Sequence, residues 1–353
     1  MTDRENYLRN ARLEGPDWMP CTIAISGASW DQWRGEMEDV CARHPILFPG
    51  FEKGQRRYDE VDFGPAYRAR ERFTDNWGCV WESSIDGIEG VAIGHPLADW
   101  AAFESWSPPD ALHQLDRSDV DWKAVREANT RAEQAGQLTM GGTAHGFLLL
   151  RLTYLRGFEN LMLDLATGEP RLHELIARVM HHNEVLVDQY LSMGVDVMGF
   201  AEDLGTQTAS LVSPGTFRQW FTPQYRRLMS QCKPVGTLVH LHSDGYVMEL
   251  LGEFLTAGVD IVNVQDLCNG IGDLARELKG RACVDLDIDR QSIVPFGSRS
   301  EIRALIEEET RTLGSHRGGL SMICGIYPPT PPENVDALCC AMEEFRTYWA
   351  DRR

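Results

Sequence analysis

Two segments of the chain, Val239-His240-Leu241-His242-Ser243-Asp244-Gly245 and Met322-Ile323-Cys324-Gly325-Ile326-Tyr327-Pro328-Pro329, are apolar runs that stop at groups able to bind a metal. Imidazole, carboxylate and thiolate are the ligand types zinc prefers. His242 and Asp244 stand two residues apart, so in an extended segment both point to one side. His242 reads as a metal ligand or an acid/base group, against the plainer reading of a satisfied structural histidine. His240 has the same parity but sits one pleat deeper and reads as core. Cys324 ends its run just before Gly325, which reads as a ligand beside a rigid turn, against a small buried hydrophobe.

Other apolar runs end in polar residues as well. Glu202 and Asp203 are open to three roles: a further metal ligand, a general base, or a helix N-cap. Asp287 and Asp289 bind substrate or move protons, or only shape a turn. His145, Gln207, Gln265 and Tyr327 are candidates for holding substrate. Neither a Ser-His-Asp nor a Cys-His nucleophile pattern is present.

These residues need a scaffold that brings distant strand ends together. From about residue 138 the chain alternates strand-like apolar runs with amphipathic helices. Strands are expected over 138–142, 196–201, 236–242, 260–264, 282–286 and 319–324. Helices are expected over 170–193, 216–232, 246–256, 271–278 and 300–313, with a last one from Pro331 to about Trp349. Ala257-Gly258 stops one helix, and Ser298 or Ser300 with Glu301 starts another. Such alternation means parallel strands with crossover helices. A further strand at 21–26, and a second from the N-terminal third, would bring the count to the eight of a closed (β/α)8 TIM-like barrel. In such a barrel the strand C-termini carry the active site. The absence of Gly-x-Gly-x-x-Gly after a strand removes support for a Rossmann fold.

The N-terminal third is different. It holds eight of the ten tryptophans, before residue 123, and its periodicity is weak. It reads as an irregular, aromatic-packed part of the same single domain, residues 1–353, or as the wall of a ligand site. The Cys79–Ile85 stretch alternates and suggests a short strand or hairpin.

The chain is 43% hydrophobic and 25% charged, which is enough to bury a large core. Its net charge of −19 offers nucleic acid no basic surface. Nine scattered cysteines without a Cys-x-x-Cys suit a reducing compartment. The polar start MTDRENYLRN lacks a signal-peptide core. The apolar stretch 147–150 is cut by Arg151 and is too short to span a bilayer. Together these give an expectation of a soluble cytoplasmic protein.

The segments LRGFENLMLDL, GVDVMGFAEDLGTQTASLVSPGTFRQWFTPQYRRL, HLHSDG, LTAGVDIVNVQ, VDLDIDRQ and CGIYPPTPPENVDAL, in this order, resemble the uroporphyrinogen decarboxylase superfamily. That resemblance implies a distorted (β/α)8 barrel. True decarboxylases of the superfamily grip tetrapyrrole carboxylates with an arginine-bearing N-terminal segment, and the stretch Pro20–Gly27 here has no arginine. The resemblance therefore points to the cobalamin-dependent methyltransferase branch, whose members bind zinc through His-x-Cys on one strand and a distant Cys on another. On that pattern His242 matches the histidine, Asp244 falls on the first cysteine and Cys324 matches the second; Glu202 is a candidate fourth ligand. A carboxylate in place of a thiolate leaves zinc more Lewis-acidic. The implied reaction moves a methyl group between a small methylated or methoxylated molecule and cobalamin on a partner corrinoid protein. Glu202, Asp203, His242 and Asp289 would be the catalytic groups. Methylation of a thiol from methylcobalamin, or metal-free decarboxylation of an acidic substrate, are the alternatives. Homodimers are a further implication of the resemblance.

Overall fold

The computed structural model describes residues 1–58 and 63–352. Ten strands are present among them: β1 (Cys21–Ile25), β2 (Arg72–Thr74), β3 (Val80–Glu82), β4 (Val91–Gly94), β5 (Met140–His145), β6 (Val197–Asp203), β7 (Leu238–Asp244), β8 (Ile261–Gln265), β9 (Cys283–Asp287) and β10 (Leu320–Ile326). Seven of them form one parallel sheet in the order β1-β10-β9-β8-β7-β6-β5. The sheet curls into a TIM-like barrel with helices packed outside. The N-terminal third supplies one strand to this sheet rather than two. Its other three strands pair antiparallel as a separate small sheet, β2-β3-β4, with the Cys79–Ile85 stretch at its centre.

Each of the six strands expected after residue 138 is present. Each begins one or two residues later than its apolar run and ends one to three residues later. Most of the extra residues are polar, among them His145, Glu202, Asp203, Asp244, Gln265 and Asp287. The helix expected over 216–232 is two helices, Pro214–Trp220 and Thr222–Met229. Pro223 is the cause: it has no N–H to give a continuous helix and fits only in a first turn. The helix expected over 246–256 begins later, with a single 3-10 turn at Met248–Leu250 before Leu251–Ala257. The last helix ends at Phe345. Ser298 and Glu301 form the reciprocal cap of the 299–313 helix, and Gly258 closes the 251–257 helix in the left-handed region.

Strand parity decides what reaches the mouth. Paired residues in a parallel sheet point to the same face, so each register row is one layer. One row runs Ala201, His242, Asn263, Asp285, Ser321 and lines the barrel interior. Asp203 and Asp244 form the next row toward the mouth. The opposite parity (Phe200, Leu241, Val262, Leu286) is buried under the helices as the hydrophobic core. Where β6 and β7 end, Gly205 and Gly245 cross in contact. A Cβ on Gly245 would lie 2.1 Å from the Gly205 carbonyl oxygen, and Gly245 has φ +81°. Only glycine allows that crossing, which fixes Asp203 and Asp244 side by side.

Candidate metal centre

His145, Asp203 and His242, from the ends of β5, β6 and β7, each offer one ligand atom within 4.8 Å of the other two. Asp203 Oδ1 lies 3.1 Å from His145 Nε2 and 3.7 Å from His242 Nε2. Asp244 Oδ1 lies 3.6 Å from the same His242 nitrogen and is buried with no hydrogen-bond partner. The other ring nitrogen, His242 Nδ1, is 2.5 Å from Asn263 Oδ1, and the Asn263 amide in turn donates to the Asp285 carbonyl at 2.5 Å. Since an amide oxygen only accepts, Nδ1 must carry a proton. A neutral His242 would then turn a bare Nε2 lone pair toward two carboxylates. That is tenable only with positive charge between them, either a proton on Nε2 or a cation.

Charge counting gives the same answer. Asp244 and Asp287 converge on a single guanidinium, Arg290, which reaches Asp244 Oδ2 at 2.6 Å and Asp287 Oδ2 at 2.5 Å, while Asp203 faces the two imidazoles. Burial pulls the His242 imidazole down, but Asp203, Asp244 and Asn263 outweigh it and the net direction is upward. His145 behaves alike, with Asp203 overcoming its burial. Burial works to raise Asp203 too, yet the two imidazoles hold it well below the usual carboxylate range. Asp287 is nearly sequestered, and burial pushes it up to about 7 despite Arg290.

Two kinds of wall flank this cluster. A cavity of about 430 Å³ at the ends of β8 and β9 is lined by Gln207, Gln265, Asp266, Asp287, Asp289 and Arg290, among others. On the other side, a cavity of about 490 Å³ is lined by His145 and Asp203 from the barrel and by Trp81, Glu89, His95, Tyr154 and Phe158. The small antiparallel sheet thus puts Trp81 against the mouth, beside Tyr154 and Phe158 from the helices that follow β5. It is tied there by Arg151, whose guanidinium, 1% exposed as a side chain, pairs with Asp116 and lies 4.7 Å over the Trp77 ring.

Residues 82–345 match the sequence profile of the uroporphyrinogen decarboxylase (URO-D) family. The chain belongs to the URO-D family. It is similar to methylcobamide:CoM methyltransferase MtaA of Methanosarcina barkeri, 26% identical over 155 residues, and 27% identical to that of strain Fusaro / DSM 804. The matched stretch spans 43% of this chain and 42% of those relatives' length. A methyltransferase from Methanosarcina mazei has the same fold, with a TM-score of 0.66 at 20% identity over 98% of this chain and 99% of that one.

Within this URO-D barrel the expected ligands do not all meet. Cys324 pairs with Ile23 in a row one step past Ile323–Asp287, so it has the helix-facing parity, opposite to His242. It is 0% exposed, and burial pushes its thiol well up. A thiol there is a small core side chain. Glu202 also faces the helices. Its carboxylate accepts from the Leu148, Leu149 and Leu150 amides at 2.7, 2.7 and 2.8 Å and so caps the 149–156 helix. Of its three open roles the structure selects the cap and gives no ligand or base. Asp289 accepts from the backbone of Gln291, Ser292 and Ile293, which is turn chemistry, although it borders the polar cavity. Gln265 receives Gly245 N at 3.0 Å, and Tyr327 stacks near Arg290, 5.7 Å from ring centroid to guanidinium carbon. His240 bonds Asp285 at 3.0 Å, a satisfied interior histidine. Asn263 and Arg290 are functional neighbours that the sequence reading missed. No helix among the described residues is long and apolar enough to cross a membrane.

Proposed function

We propose that this chain is a metal-dependent methyltransferase. In this reading it moves a methyl group between a small methylated or methoxylated molecule and the cobalamin of a partner corrinoid protein. The observation that carries the metal is the group His145, Asp203 and His242, with the buried, unpartnered Asp244 Oδ1 facing His242 Nε2. Those three side chains would hold the ion, with Asp244 beside His242 as the candidate fourth ligand. Imidazole and carboxylate suit zinc, and other first-row divalent ions as well. Bound there, the ion would act as a Lewis acid toward a leaving oxygen.

The protein's own residues do the rest. Asn263 fixes the His242 ring so that Nε2 faces the mouth. Trp81, Tyr154 and Phe158 present an apolar wall that holds an organic substrate beside His145 and excludes water. Gln207 and Tyr327 offer hydrogen bonds from the other side. A donor set without thiolate favours an ether over a thiol as partner, because carboxylate and imidazole donate less charge than two thiolates. The relatives' name, with a methylcobamide as donor, supports the corrinoid and leaves the transfer direction to the assay.

A second reading is favoured by the upward shift of both imidazoles: a protonated His145–His242 pair handling an acidic substrate by proton transfer, without metal. Elemental analysis of protein purified without chelator separates the two. The metal reading expects about one equivalent per chain, followed by methyl exchange with cobalamin and methyl ethers. Metal-free protein that still turns over would leave the second reading standing.

A further inference from the structure

Asp244 divides its carboxylate. Oδ2 is held at 2.6 Å by Arg290, while Oδ1, buried and without a partner, is turned toward His242 Nε2. Arg290 comes from the loop after β9, and its second arm is anchored at 2.5 Å on Asp287, itself buried at 3% exposure. Tyr327 covers the guanidinium face at 5.7 Å. The guanidinium is therefore clamped between two strands and a ring. It presents one fixed N–H to Asp244, a planar two-armed geometry that an ammonium cannot copy.

We infer that Arg290 is a positioning residue for the metal centre: it sets the rotamer of Asp244 so that Oδ1 is aimed at the ion beside His242. This rests on the metal reading above. Two effects of the guanidinium oppose each other. Its positive charge disfavours a nearby dication, and its orientation of a ligand favours one. Partners that orient ligands are typically worth ten- to a hundred-fold in metal affinity. Arg290→Lys separates the effects, because it keeps the charge and removes the fork.

The test is titration of metal-free protein with Co(II), read by its visible ligand-field absorption rather than by turnover. R290K should raise the dissociation constant about ten-fold or more and change the band shape as Asp244 leaves the coordination sphere. R290Q, run beside it, removes the charge as well as the fork, so a weaker affinity there, against the gain expected from losing a nearby positive charge, supports the same inference should the lysine protein fail to fold. In a D244N background, the Arg290 substitution should add less than about two-fold, since the two act as one unit. Additive losses in the double variant, or R290K affinity equal to the parent's, overturn the inference while leaving the metal site intact. A parent protein that takes up no Co(II) overturns both.

Discussion

Glu202 and Asp203 are consecutive carboxylates on one strand, yet they live in different chemistry. Glu202 points under the helices, where three backbone amides converge on it. Asp203 points into the mouth, where its partners are two imidazoles and open cavities. The same division separates Cys324 from His242. The Glu202 carboxylate is completed by the fold itself, whereas Asp244 Oδ1 at the mouth is left incomplete. Incomplete polar groups in a cleft mark where a ligand belongs.

The largest test of this contrast is to remove an interior ligand. His242→Ala should lose bound metal and turnover together, with affinity down at least about a hundred-fold. Full metal content by elemental analysis would take His242 out of the set. Next is Gly245→Ala. The new methyl would meet the Gly205 carbonyl, so a loss of about 3 kcal/mol or more in urea unfolding is expected, with weakened metal binding.

Glu202→Gln probes the completed side. An amide cannot accept from all three donors without turning an NH2 toward one of them. The expected cost is about 2 kcal/mol of stability, with metal content unchanged. Metal loss in a folded E202Q protein would move Glu202 back among the ligands. The same residue gives a pH test. Burial pushes its carboxyl up to about 7, against the amides that favour its anion. The folded state then holds a proton that the unfolded state releases from about pH 4.5 upward. Stability through this group is full below that pH and falls as pH rises toward 7, by roughly 1 to 3 kcal/mol. Denaturation at pH 5 and pH 7 should show a smaller fall in E202Q than in the parent, the remainder coming from Asp287 and the two raised imidazoles, which titrate in the same sense.

The sequence carried the repeating strand–helix order because buried parallel strands are apolar and helices are amphipathic. It carried His242 and Asp244 because β7 alternates: His240, His242 and Asp244 face in, Leu241 and Ser243 face out. Strand β10 hides its parity. Met322, Ile323 and Cys324 are apolar on both faces, so the last residue of the run looked like the one aimed at the mouth. Counting from Ser321, whose hydroxyl bonds Asp285 inside the barrel at 2.8 Å, would have turned Cys324 outward, but that bond is known only from the fold. Arg290 was hidden among Asp287, Asp289 and Ser292, where a turn is the simple reading; its meaning comes from Asp244, 46 residues away in sequence.

Cys324→Ala has the smallest expected effect and cuts most cleanly between the two faces. If sulfur were a ligand, its removal would take away the softest donor and most of the zinc affinity. On the helix-facing side the loss is one buried sulfur with only long contacts, 3.9 Å to the Ile288 and Gly325 carbonyl oxygens. The vacated space is about that of one atom, so the cost is about 1 kcal/mol of stability. On that face the sulfur points away from the His145, Asp203 and His242 group at the mouth. C324A should therefore fold, carry the parent's metal content and turn over at the parent's rate. Loss of metal in this variant, with unfolding unchanged, would mean that β10 is shifted by one residue from the register shown. The ring and the sulfur would then share one face after all.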